Sequence, residues 1–429
     1  MSKYIYGLTG PLGSGCTTTA DYLEKKGCQK ISISKDILSP LAKAHSKPFS
    51  TRKEKQDFGN YAREHLKNEF KEKVIRKISE GSDEIVIECF RNPIEIDFLR
   101  DEYPHFYLFA LYAQKSERLK RKISQGEKDF EECDKRDQGE KGSYGQQVRK
   151  CVTQSDIVLN NSYKWQHGDD ADVFFERVDD YRRLLKDPYR KPTHYEMNMH
   201  LSYSVSLHSL CIQRQVGAVI TDGDYQVLSV GFNDAPPQSR SCFDLHSQCY
   251  RKMKKKETLS EICKKISHCP FCASDLSFKK NLFDDPKILT DDAFICSNCK
   301  MDLSNVLSTG KELDLCRSLH AEENAILSNP YLSDRLHSRT KGMIIFTTTF
   351  PCMLCAKKIA KSGIEKVVFV EPYPVEESQQ IFSDNGIVVE IFEGVKSLSF
   401  NWIFRKRDQY IEKHAHDRLS KLRNLNKGA

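Results

Sequence analysis

A chain of 429 residues, 39% hydrophobic and 30% charged, has room for two or three folded domains, and no apolar run approaches the length of a membrane span. Its net charge of +7 suits anionic ligands but does not by itself argue for a nucleic-acid polymer. Sixteen cysteines, with no signal-peptide layout ahead of the glycines that start at Gly10, point to metal ligands and buried thiols in a cytoplasmic protein rather than to disulfides.

Tyr4 to Thr9 predicts a short apolar strand. Gly10-Pro11-Leu12-Gly13-Ser14-Gly15-Cys16-Thr17-Thr18 follows, and then a helical Thr19 to Leu23. Strand, glycine loop and helix are the context of a phosphate-binding loop, whose backbone amides and helix N-terminus cradle phosphate oxygens. Gly10, Gly13, Ser14, Gly15, Cys16, Thr17 and Thr18 are therefore candidate nucleotide-binding residues. Cys16 stands where a lysine should meet the β/γ-phosphates, which favours binding or sensing over phosphoryl transfer. Further buried strands read at Glu84–Glu88, Tyr107–Leu111 and Asp156–Asn161. Ser116 to Arg121 is a basic helix start where a kinase lid would place arginines, and the polar stretch from Gly126 to Gly145 reads as a mobile lid or exposed loop. Residues 1–185 thus resemble the P-loop nucleoside and nucleotide kinase fold, an α/β domain with a parallel sheet. A degenerate scaffold without nucleotide is the plainer alternative.

A proline-punctuated connector, Lys186 to Thr193, opens the second domain, residues 186–429. Thr193 has a glutamate three residues on, Glu196, the spacing of a capping box for a helix running to Leu210. Val216–Ile220 and Val227–Val230 read as strands, closed by Gly231-Phe232-Asn233-Asp234-Ala235-Pro236. Residues 238–316 form an insertion. Its Cys269-x-x-Cys272 and Cys296-x-x-Cys299 knuckles predict a four-cysteine structural zinc ribbon with no open coordination site. Cys242, Cys249, Cys263, Cys316, His246 and His268 are extra and irregularly spaced. The basic run Arg251 to Lys256 reads as a solvated face, with a phosphate or RNA contact as the sharper alternative.

His320-Ala321-Glu322 and, about thirty residues on, Pro351-Cys352-Met353-Leu354-Cys355 have the H-x-E…P-C-x-x-C spacing of zinc-dependent nucleobase deaminases. One imidazole and two thiolates supply three zinc ligands and leave a fourth position for water, whose pKa the metal lowers. Glu322 is not a ligand and can carry the proton from water to a ring nitrogen and to the departing ammonia. A purely structural zinc knuckle would want a fourth protein ligand and would have no use for Glu322. The flanks read as helix (Ala321–Leu327), strand (Gly342–Thr349), helix after Pro351 and strand (Lys366–Val370). A last core strand follows at Gly386–Phe392, and an apolar Phe400–Phe404 docks on the body.

Cys211-x-x-Arg214-x-Val216-Gly217-Ala218, Gly231 to Pro236, His320-Ala321-Glu322 and Pro351-Cys352-x-x-Cys355 together resemble the deoxycytidylate deaminase family. The resemblance implies a three-layer α/β/α cytidine-deaminase-like domain. It also implies substrate contacts from Asn233, from the backbone near Ala321, from Tyr373 stacking on the base and from Arg214. That family often carries paired arginines before the Val-Gly-Ala, where this chain has Gln213 and Arg214. A turn cap for Asn233 and core packing for Tyr373 are the plainer alternatives. With the P-loop domain ahead of it, the whole resembles the antiviral deaminases of bacterial phage defence. That resemblance implies deamination of dCTP or dCMP, depletion of dCTP, a regulatory nucleotide at the P-loop, an inhibitory non-coding RNA and a homo-oligomer. An RNA- or DNA-editing deaminase and a housekeeping dCMP deaminase are the alternatives.

Overall fold

The computed structural model describes residues 3–126, 129–140, 143–162, 168–236, 238–266, 268–275, 294–301, 316–331, 342–371, 375–396, 398–407, 411–412 and 414. Two sheets organise them. The first contains β1 (Tyr4–Thr9), β2 (Gln29–Ser32), β3 (Glu84–Phe90), β4 (Phe106–Tyr112) and β5 (Ile157–Asn160), paired in parallel in the order β2-β3-β1-β4-β5. Both faces are covered, so β1, β3 and β4 read as continuous apolar runs. Ile5, Ile85, Ile87 and Leu108 face one core, with side chains of helices Arg52–His65, Lys67–Ser79 and Pro93–Glu102. Tyr6, Leu8, Val86 and Phe109 face the other, with Ala20 and Leu23 of helix Cys16–Lys25 and Phe174 and Val178 of helix Gly168–Lys186.

The second sheet contains β6 (Gly217–Thr221), β7 (Val227–Phe232), β8 (Ile344–Thr347), β9 (Lys366–Phe369) and β10 (Val388–Ile391), in the order β10-β9-β8-β6-β7. β6 runs antiparallel to both neighbours, while β8, β9 and β10 are parallel. Helices Ala321–Leu327, Met353–Ser362 and Glu376–Asp384 cover one face, through Ala325, Ala356, Ile359 and Phe382. Helix His194–Ser206 covers the other, and its start is the expected capping box. The Glu196 amide donates to Thr193 Oγ1 at 3.1 Å, and the Thr193 amide donates back to the Glu196 carboxylate at 2.8 Å.

The two units are continuous. Val219, Phe346 and Val368 of the second sheet share a buried cluster with Ala110, Val148, Val152 and Val158 of the first unit.

Three elements differ from what the sequence suggests. The segment after β10 reads as a continuation of the second domain. Instead Gly394–Val395 (β11) adds an antiparallel edge to β5, and Phe400 and Ile403 of helix Leu398–Arg405 pack in the first unit's core. The polar stretch from Gly126, read as a mobile lid or exposed loop, is not simply an exposed loop: it contains helix Phe130–Gln138, whose Asp134 and Asp137 are buried as partners of Arg118 and Arg91. Its acidic residues read as solvated because their cations lie elsewhere in the sequence. Strand β2 carries three polar residues of four, Gln29, Lys30 and Ser32, and has no apolar pattern that marks it in the sequence.

Candidate active site

His320 is the N-cap residue of helix Ala321–Leu327, and Cys352 is the N-cap residue of helix Met353–Ser362. Neighbouring β-strands bring these two helix starts together. Gly231 in β7 lets the first helix lie close, since a Cβ there would overlap the backbone of Ala321 and Ala325. His320 Nδ1 lies 3.4 Å from Cys352 Sγ and 3.3 Å from Cys355 Sγ. A tetrahedral zinc with sulfur at about 2.3 Å and nitrogen at about 2.0 Å requires sulfur–nitrogen edges of about 3.5 Å. The three side chains fit such an ion.

Glu322 is 3% exposed, and the Cys355 thiol points at its Oε2 from 3.6 Å. Burial pushes its carboxyl above the usual carboxylate range. Hydrogen bonding from Cys355, aided by His320, holds the Cys352 thiol down at about 3, while Cys355 and His320 are pushed up by the same coupling to Cys352. One thiolate is therefore already favoured before any ion is considered.

His320, Ala321, Glu322 and Cys352 line a cavity of about 280 Å³, walled by Asn233, Arg214 and Phe350. The Asn233 side chain is tied to the segment before β6: Oδ1 accepts from the Val216 amide at 2.7 Å, and Nδ2 donates to the Arg214 carbonyl at 2.8 Å. Arg214 Nη2 sits 3.1 Å from Glu371 Oε2. Tyr373 lies outside the described residues. Among the lining residues that the sequence did not single out are two charged ones, Arg149 and Glu371. No local signal could have found Arg149, because it belongs to the first unit and reaches the cavity only through tertiary packing.

A second cavity, of about 570 Å³, is formed by Pro11 to Thr18 together with Arg52, Arg91 and Arg121. Gly15 adopts φ 105°, and a Cβ there would overlap the Asn161 amide, which donates to the Ser14 carbonyl at 2.8 Å. Burial pushes the Cys16 thiol up to about 12, so it is neutral at physiological pH and offers no charge to a phosphate. The basic helix splits its arginines. Arg121 donates to the Gly13 carbonyl at 3.3 Å at the cavity wall, whereas Arg118, 2% exposed, is consumed beneath the loop by the Leu12 carbonyl (3.0 Å) and Asp134 (2.5 Å).

Cys269 and Cys299 lie 3.8 Å apart at sulfur, as do Cys272 and Cys296, and all four ligand atoms fall within 4.8 Å of one another. Tetrahedral Zn–S geometry requires sulfur–sulfur edges of about 3.8 Å. Residues 276–293 between the knuckles are outside the described set. Among the described residues these two clusters alone could hold a metal ion, Cys242, Cys249, Cys316, His246 and His268 joining neither, and no helix is long and apolar enough to cross a membrane.

Residues 192–371 match the family model of the cytidine and deoxycytidylate deaminase zinc-binding region. Deoxycytidylate deaminase of Enterobacteria phage T2 is 30% identical over 176 residues, covering 41% of this chain and 78% of the phage protein. A dCMP deaminase from cyanophage S-TIM5, solved with dCMP and dUMP, is 20% identical, covers 47% of this chain and 98% of that one, and superposes with a TM-score of 0.26. Shikimate kinase from Bacteroides thetaiotaomicron covers 42% of this chain and 98% of its own at 15% identity and a TM-score of 0.27. The sequence relation extends over most of the phage T2 enzyme, and the family-model match spans His320 and Cys352–Cys355. The chain is a zinc-binding hydrolytic deaminase and belongs to the deoxycytidylate deaminase family.

Proposed function

We propose that this chain deaminates deoxycytidine nucleotides, dCMP and dCTP, in the cavity at His320, Cys352 and Cys355, and that it thereby depletes dCTP in defence against phage. The observation that carries the chemistry is a three-ligand cluster with a buried, non-ligating carboxylate beside it. His320 Nδ1, Cys352 Sγ and Cys355 Sγ would hold a zinc ion, which would supply Lewis acidity and so make water acidic enough to attack near neutral pH. Glu322 takes one proton of the attacking water and passes it to the ring nitrogen of cytosine, then takes the proton of the hydroxyl formed on the ring carbon and passes it to the departing amino group, so that water is consumed, a carbonyl forms and ammonia is released. The backbone at Ala321 reads the ring. Asn233 holds Arg214 and Val216 in register and keeps one amide hydrogen for the sugar or base edge. A second zinc on Cys269, Cys272, Cys296 and Cys299 is structural.

The P-loop unit, roughly the first 185 residues, binds a nucleotide as a regulator rather than transferring phosphate. The neutral Cys16 thiol supports this, and so does the wiring. The Gln147 amide donates to the Arg91 carbonyl at 2.7 Å, which joins the P-loop cavity to helix Val148–Gln154 beside the deaminase cavity. An inhibitory non-coding RNA and a homo-oligomer are part of the same proposal, by resemblance.

The test is ammonia release from dCMP, dCTP, CMP, cytidine and a cytosine-bearing oligonucleotide by the purified chain. Turnover of the deoxynucleotides is expected; preference for the oligonucleotide would favour a polymer-editing enzyme instead. In infected cells, dCTP should fall with the wild-type chain and stay level with Glu322→Gln.

A further inference from the structure

Arginines from three separate parts of the chain meet at the deaminase cavity. Arg214 precedes β6. Arg251 comes from helix Tyr250–Lys265 in the insertion. Arg149 comes from helix Val148–Gln154 in the first unit. Glu371, 8% exposed, faces two of them: its Oε1 is 2.9 Å from Arg149 Nε and its Oε2 is 3.1 Å from Arg214 Nη2. Two guanidinium groups thus share one carboxylate at the cavity wall. Arg251 adds a third guanidinium, with no ion pair among the described residues.

The position of Arg149 is built rather than incidental. Val148 and Val152 of its helix are fully or nearly buried in the cluster shared by the two units, which fixes the helix against the second sheet. Glu371 follows β9 and holds the Arg149 and Arg214 side chains with one oxygen each. Guanidinium forks held this way and left partly open to solvent are suited to phosphate oxygens, which they bind by paired charge-assisted hydrogen bonds.

We propose that Arg149, together with Arg251 and Arg214, binds the 5′-phosphate end of the nucleotide, so that the N-terminal unit supplies a specificity-determining residue to the deaminase cavity. The proposal rests on reading that cavity as the deamination site. It makes the cavity incomplete without the first unit, and it selects phosphorylated over unphosphorylated deoxycytidine.

The experiment compares Arg149→Ala and Arg149→Lys with wild type on deoxycytidine, dCMP and dCTP, with zinc content and Tm as checks on folding. The ratio of nucleotide to nucleoside kcat/KM should fall roughly 10- to 100-fold in Arg149→Ala, the loss of one or two charge-assisted hydrogen bonds. The fall should lie mainly in KM, and Arg149→Lys should recover part of it. An unchanged ratio, including an equal loss on all three substrates, would overturn the proposal. If Arg149→Ala does not fold, Arg251→Ala carries the same comparison and the same two outcomes. Calorimetric binding of dUMP against deoxyuridine separates this proposal from the catalytic one. If wild type turns over none of the substrates, the deamination reading fails, while loss of the dUMP preference in the variant still upholds the arginine and a retained preference still overturns it.

Discussion

Replacing Glu322 by glutamine keeps the shape of the side chain and removes its ability to carry a proton. Among the described residues the cavity holds no substitute. The other lining carboxylate, Glu371, has one oxygen beside Arg149 and the other beside Arg214, so both of its oxygens already face guanidinium groups. A single general acid–base group contributes typically about 10²–10⁴-fold, and Glu322 serves at least two proton transfers, so the loss in kcat should reach about 10³-fold or more. The zinc should stay. His320, Cys352 and Cys355 form the cluster without help from the carboxylate, which lies 3.6 Å from Cys355 Sγ and is no ligand. Burying a neutral amide where burial already disfavours the carboxylate leaves no uncompensated charge, so Tm should not fall. The assay is ammonia release from dCMP, with zinc measured by mass spectrometry on the same sample. A variant with full rate would refute the proton-shuttle role. One that loses zinc in step with its rate would show Glu322 to be part of the metal site.

Cys272→Ser should lower zinc content by about one equivalent per chain and leave the ion at His320 in place; unchanged metal content would refute the four-cysteine site. Arg118→Ala strands Asp134, both side chains being 2% exposed, and should cost about 3–5 kcal/mol in denaturant unfolding, against less than about 1 kcal/mol if the pair were solvent-screened. Burial pushes the Lys396 amine down to about 7, with Asp156 opposing and Arg100 assisting that shift. Between about 7 and the ordinary lysine value the unfolded chain binds the extra proton, so stability from this group rises with pH across that window, by up to about 1.4 kcal/mol per unit. The stability of wild type relative to Lys396→Met should therefore increase from pH 7 to pH 9, and parallel curves would refute the buried-amine reading.

Much of the fold and of the site is written in local patterns. The apolar runs of β1, β3 and β4, the capping box at Thr193 and Glu196, the glycine loop between β1 and the helix that starts at Cys16, and the spacing of His320, Cys352 and Cys355 all act over a few residues or depend on residue type alone. They were legible without coordinates because backbone geometry and metal coordination admit few alternatives. Tertiary structure decided which long-range partners each charge would find. Asp134 and Asp137 look solvated in sequence and are buried, because Arg118 and Arg91 reach them from other elements. β11 leaves the unit that precedes it to complete the edge of the first sheet, where Gly394 and Val395 find backbone partners in β5. Arg149 enters the deaminase cavity only because Val148 and Val152 bury themselves in a core common to both units. A side chain's chemistry is a property of its residue type, but its electrostatic partner is set by packing between segments far apart in the chain, and no local pattern records that.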